Sequence, residues 1–167
     1  MNKLITTLFV ILGVFMFAPI THAEEVAVAA APTVVEKTLY ERLGGEVAIR
    51  AVVDNFVPRA AANPAVNFTR VGHKNTWEAT PENVEILKKH LTTFIGTATG
   101  GNITYQGRDM KTAHQGMGIT SAEFDAIAAD LLASLKALNV PEKETNELMA
   151  IAAATKSAIV EVPTPAQ

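Results

Sequence analysis

This chain of 167 residues offers few side chains for chemistry: four histidines, one tryptophan, two tyrosines and no cysteine. The missing thiols exclude a disulfide scaffold, a thiolate metal site, an iron–sulfur cluster and a cofactor attached through cysteine. His114 has the most informative surroundings. Between Gly101 and Thr120 the chain has glycines at 101, 107, 116 and 118, yet it also holds Tyr105, Met110, His114, Met117 and Ile119. A loop so long, with apolar content, is expected to cover something rather than only connect. Asp109–His114 can form about one helical turn, which places Met110 and His114, four apart, on one face. An imidazole presented over an apolar cleft can serve as a metal or cofactor ligand. On its own, the same residue is also a surface histidine in a glycine-rich loop. His90 is the second candidate. It lies one turn from Leu87 and Phe94, at the edge of an apolar stripe, and follows Lys88 and Lys89.

The elements that must hold these residues read as helices. Thr38 can cap a short turn over Leu39–Leu43 that ends at Gly44-Gly45. Residues 46–62 place Val47, Ile49, Val52, Val53, Phe56, Val57 and Ala60 near helical spacing. Pro58 is expected to kink this helix, and Asn63-Pro64 to stop it. Residues 65–79 read as irregular. Thr80, Pro81 and Glu82 are an N-cap, a first helical position and an acidic first turn. Val84, Leu87, Leu91, Phe94, Ile95 and Ala98 then repeat at three- and four-residue steps until Gly100-Gly101. Thr120-Ser121-Ala122-Glu123 fits a capping box before a stripe of Phe124, Ile127, Leu131, Leu135 and Leu138. Pro141 opens a last helix with Leu148, Ile151, Ala152, Thr155 and Ile159 inward. No alternating strand pattern is sustained. The expected fold class is all-α, with four substantial helices and a short leading one around one core.

The ends read differently. Lys3, the apolar run Leu8–Phe17, Pro19 and Thr21-His22-Ala23 follow the order of a secretory signal peptide. As helix that run covers about 15 Å, roughly half a hydrocarbon core, so removal is expected over permanent anchoring. The reading is therefore a signal peptide over 1–23, a flexible linker over 24–37, a folded domain over 38–160 and a disordered tail over 161–167. A periplasmic or secreted location follows, with an amino-terminal anchor as the alternative and no stable membrane span after cleavage. A net charge of −3 argues against a nucleic-acid partner bound through phosphate neutralisation. The glycine-rich segment lacks the Lys-Ser/Thr ending of a phosphate loop.

The run Tyr105–Thr120, YQGRDMKTAHQGMGIT, resembles the segment that carries the proximal histidine in group I truncated haemoglobins. Leu39-Tyr40-Glu41-Arg42-Leu43-Gly44-Gly45 resembles their start, and Ala98-Thr99-Gly100-Gly101 the corner after their long helix. Ala122-Glu123-Phe124-Asp125 and Val140-Pro141 match too, so the likeness spans about residues 38–160. The resemblance implies a two-over-two helical sandwich binding non-covalent haem b. His114 then becomes the proximal iron ligand. Met110, Ile119, Phe124 and Ile127 line the haem, as do Leu87, Leu91 and Phe94 of the long helix, and Tyr105 lies near the propionates. A phenylalanine packs the corner of the haem in the family; Phe68 or Trp77 would do so here. Lys88, Lys89 and Lys111 are candidate propionate contacts, and His73 reads as surface.

The distal side departs from the family pattern. Many members place a tyrosine in the second helix where this chain has Val57, and glutamines where it has Leu87 and Leu91. Without those donors, charge that develops on a bound ligand goes unstabilised. By the same resemblance His90 is a distal iron ligand, a donor to the bound ligand or a propionate partner; the plain alternative is a solvated histidine. The implied function is an exported haem protein binding oxygen, nitric oxide or carbon monoxide. The alternatives are a nitric-oxide dioxygenase or peroxidase-like enzyme, or a bis-histidine electron carrier with a redox partner.

Overall fold

The computed structural model describes residues 36–66, 68, 72 and 76–161. The signal-peptide reading over 1–23, most of the linker, His73 and residues 162–167 lie outside the described residues. Among the described residues there are seven helices and no strand. They are α1 (Leu39–Arg42), α2 (Gly45–Ala62), α3 (Pro81–Ala98), α4 (Met110–His114), α5 (Ser121–Ala137), α6 (Glu142–Ala154) and α7 (Lys156–Ile159).

The caps form where the side chains require them. Thr38 and Glu41 make a reciprocal capping box on α1, and Thr80 accepts from the Asn83 N–H with Pro81 at the first position of α3. Gly44 and Gly45 take φ of 95° and 75°, a left-handed turn that costs glycine little and sends α2 away from α1. The Tyr40 hydroxyl accepts the Glu46 N–H at 3.0 Å across that turn. Thr120 and Glu123 form the second capping box, at the start of α5. Thr120→Ala removes a side-chain cap and should lower stability by about 1 kcal/mol. Urea unfolding read by circular dichroism checks this; an unchanged midpoint would show that tertiary packing alone holds the end of α5.

Packing follows the stripes. α2 packs on both α3 and α5, α5 packs on α6, and α4 packs on α7. The pair α2/α3 thus meets the pair α5/α6 through α2 and α5. Val53, Ala60 and Leu135 at the centre are fully shielded from solvent. Arg42 donates to Glu144 at 2.6 Å and to Glu147, tying α1 to α6. No described helix is long and apolar enough to cross a membrane.

Several expectations need correction. Val47, counted in the inward stripe of α2, is 84% exposed, and Leu138 lies past the end of α5 and is 41% exposed. Ala98 is exposed too. Thr92, Gly96 and Thr99 fill the buried face of α3 instead, and the Thr99 hydroxyl is satisfied by the Ile95 carbonyl at 2.7 Å. The last helix is broken at Thr155, whose hydroxyl donates to the Ala152 carbonyl at 2.7 Å. Pro58 sits inside α2 without ending it, on the exposed side.

Candidate functional site

The helices enclose an apolar cleft of about 230 Å³, lined almost entirely by aliphatic and aromatic side chains. Nine of the eleven residues expected to bind a cofactor line it together: Phe68, Leu87, Leu91, Phe94, Met110, His114, Ile119, Phe124 and Ile127. They come from α3, α4, α5 and the two irregular segments. The inward residues of the last helix, Leu148, Ile151, Ala152, Thr155 and Ile159, close the cleft on another side.

His114 ends α4, and its ring is oriented from within the same turn. Its Nδ1 lies 2.7 Å from the Met110 carbonyl oxygen. A carbonyl can only accept, so Nδ1 carries a proton, and in the neutral ring Nε2 keeps its lone pair. That fixed tautomer is the one a metal-ligating histidine needs. The turn itself is capped by Asp109, whose Oδ1 accepts the Thr112 N–H at 2.9 Å. The Thr112 hydroxyl and N–H hold the Asp109 carboxyl below the usual carboxylate range. Among the described residues no group of three or more histidine, cysteine or carboxylate side chains could cage a metal.

Two further polar side chains of the cleft bond locally. Glu123 Oε2 accepts from the Thr120 N–H and hydroxyl, each at 2.8 Å, and the Thr155 hydroxyl turns to Ala152. An apolar cleft with one free imidazole nitrogen fits a flat, hydrophobic, iron-bearing macrocycle.

The comparisons with known proteins agree with that fit. The family model described as bacterial-like globin matches residues 38–161. A group 1 truncated haemoglobin of Synechocystis is 37% identical over 123 residues, 70% of this chain and 90% of that protein. The truncated haemoglobin of Tetrahymena pyriformis, solved in its Fe(III) form, superposes with a TM-score of 0.65 at 31% identity, covering 75% of this chain and all of that one. The 2/2 haemoglobin of Synechococcus, solved in the cyanomet state with covalently attached haem, gives 0.63 at 30% identity, covering 74% and 98%. The chain belongs to the group 1 truncated haemoglobin family.

In this globin the two helix pairs are the two-over-two sandwich, and the family implies a haem. Two expected site residues lie elsewhere. His90 and Tyr105 do not line the cleft. They pack on each other edge to face, with ring centroids 6.0 Å apart, and Tyr105 also meets Phe94 at 5.5 Å. The Tyr105 hydroxyl donates to the Arg108 carbonyl at 2.9 Å, and burial pushes its phenol above its ordinary value. Gly107 fits under this pair because it has no side chain: a Cβ there would lie 2.2 Å from the Tyr105 hydroxyl and 2.6 Å from His90 Nδ1. His90 is exposed, so this arrangement does not direct it to a distal ligand position.

Phe68 and Trp77, the two candidates for the corner of the haem, are placed differently. Phe68 lines the cleft, whereas Trp77 stacks behind it at 5.9 Å and lines a neighbouring cavity with Val57 and Val84. Lys88 is engaged by Asp54 at 2.8 Å, while Lys89 and Lys111 are exposed. The sequence reading did not assign Phe56, Val66, Ile95, Met117, Glu123, Ala128 or Leu131 to the cleft, which they line. Phe56, Ile95 and Leu131 sit on the stripes already identified as core, because the cleft is cut into the core; Val66, Met117, Glu123 and Ala128 lie off those stripes and carried no such signal.

Proposed function

We propose that this globin is an exported haem b protein that reversibly binds a small diatomic ligand, with His114 as the proximal iron ligand. The observation that carries it is the His114 ring, held by its Nδ1 bond to the Met110 carbonyl in a cleft with apolar walls. Bound haem would supply an iron centre able to take up oxygen, nitric oxide or carbon monoxide. The chain's own part is to hold and shield it. Met110, Ile119, Phe124 and Ile127 would pack one region of the ring system, and Phe68, Leu87, Leu91 and Phe94 another. Together they would limit the access of water to a bound iron, which favours reversible binding over oxidation.

Reversible binding is better supported than peroxide or nitric-oxide turnover. A peroxidase needs a positioned acid–base group. Glu123, the one carboxylate among the described residues lining the cleft, is committed to the α5 cap. His90, the histidine an electron carrier would use as a second ligand, packs outside the cleft on Tyr105. Export rests on the order of Lys3, Leu8–Phe17 and Ala23; recovery from the periplasm with Glu24 as the first residue would support it, and retention of Met1 would refute it.

The test is an absorption spectrum of the haem-loaded, reduced protein without oxygen. One broad visible band is expected, for five-coordinate iron on His114. Two sharp bands would mean a second protein ligand, pointing to His90 and electron transfer. Failure to take up haem would overturn the reading.

A further inference from the structure

We infer that Glu161 is a positioning residue for His114, clasping the loop that follows the histidine. The inference rests on the reading of His114 as the iron ligand. The sequence placed Glu161 in a loose tail, but its carboxylate spans two backbone N–H groups. Oε1 accepts from Gly116 at 2.6 Å and Oε2 from Gly118 at 2.5 Å. Its own N–H donates to the Ile119 carbonyl at 2.9 Å. Three bonds thus join the end of the described chain to a loop more than forty residues earlier.

The geometry is that of an anion nest. Gly116 and Gly118 take φ of 78° and 62°, a conformation that lets nearby N–H groups converge on one acceptor. Charge-assisted bonds of this bidentate kind are stronger and more directional than neutral ones.

The loop matters because α4 is only five residues long. A helix so short has little stability of its own, so its ends must be held. Asp109 holds the start. At the other end the Met117 N–H donates to the His114 carbonyl at 3.0 Å, which closes the turn directly after the histidine. Glu161 then grips both glycines that flank Met117. Met117, Ile119 and Ile159 all line the cleft, so the clasp draws loop and α7 together beneath the cofactor space. Loosening it should let α4 fray and let His114 leave the iron more often.

The test uses the full chain, loaded with haem, with Glu161→Gln and Glu161→Ala. Glutamine keeps one acceptor oxygen and turns an N–H₂ toward the second donor, so it breaks one arm of the clasp; alanine breaks both. We expect faster amide exchange confined to residues 115–119, in the order wild type, Gln, Ala. Haem transfer to an excess of an acceptor apoprotein should accelerate by about tenfold in the alanine variant. The iron–imidazole stretching band of the reduced protein should shift, while the urea midpoint stays near that of wild type. Unchanged exchange at Gly116 and Gly118, or unchanged haem transfer, would overturn the inference while leaving His114 as the ligand. Absence of an iron–imidazole band in the wild-type protein would overturn the ligand reading itself, and with it the positioning role.

Discussion

His114→Gly is expected to abolish stable haem binding while leaving the helices intact, and added imidazole should restore the spectrum. The cleft's apolar walls would still favour the macrocycle, so some weak uptake should persist. The lost contribution is the bond from Nε2 to iron. Loss of a partner that merely orients a metal ligand costs about 10–100-fold in affinity, so loss of the ligand itself should exceed that. Glycine leaves a gap the size of the ring, open to the cleft His114 lines. Free imidazole can enter it and present the same nitrogen. The Met110 carbonyl, deprived of its 2.7 Å partner, offers the imidazole N–H an acceptor and should set its orientation again. Circular dichroism checks that α5 and α6 persist; haem titration with and without imidazole provides the result. Wild-type affinity in His114→Gly, or loss that imidazole does not reverse in a folded protein, would remove His114 from the iron.

That His114 would face an apolar cleft was legible in the sequence because three signals converged on it. The apolar residues around it sat in a loop with no structural excuse for them, Met110 lay four residues back, and the glycine corners were spaced as in the family. The helices were legible for a similar reason: Thr80-Pro81 and Thr120/Glu123 are local chemistry that survives folding unchanged. Where the reading failed, the deciding contacts were long-range. Val47 stands six positions before Val53, about 120° round the helix from it, and is exposed. His90 sits at a stripe edge, where periodicity cannot choose between cleft and surface. The choice was made by Tyr105 and Gly107, fifteen and seventeen residues further on. Glu161 carries no local signal, since its partners are Gly116 and Gly118.

The distal wall shows how a pattern absent from the sequence becomes a functional statement. Val57 stands where the resemblance implies a donor tyrosine; it is buried and lines the neighbouring cavity with Phe68 and Trp77 rather than the cleft. Leu87 and Leu91 do line the cleft, as do Phe56, Val66 and Phe68, and none of these side chains can donate a hydrogen bond. A ligand that gains negative charge on binding, such as oxygen, would find no donor among the described residues of that wall, and its release should be fast. A ligand that gains little charge, such as carbon monoxide, should be indifferent.

Leu87→Gln tests this by adding one donor to that wall. Leucine and glutamine have similar helix propensities and lengths, so α3 should persist. Leu87 is only half-buried, so the amide can reach water when no ligand is present, and the cost to stability stays near the low end of about 1–3 kcal/mol. A hydrogen bond to a charged acceptor contributes about 1.5–3 kcal/mol, which corresponds to oxygen release slowed by roughly 10–100-fold. Stopped-flow displacement of oxygen by carbon monoxide measures it, with carbon monoxide release as the control. Slowing of oxygen alone would show that the native wall is tuned to let a polar ligand go. Equal slowing of both gases would mean that the substitution merely narrowed the exit, and an unchanged oxygen rate would mean that Leu87 does not face the bound ligand.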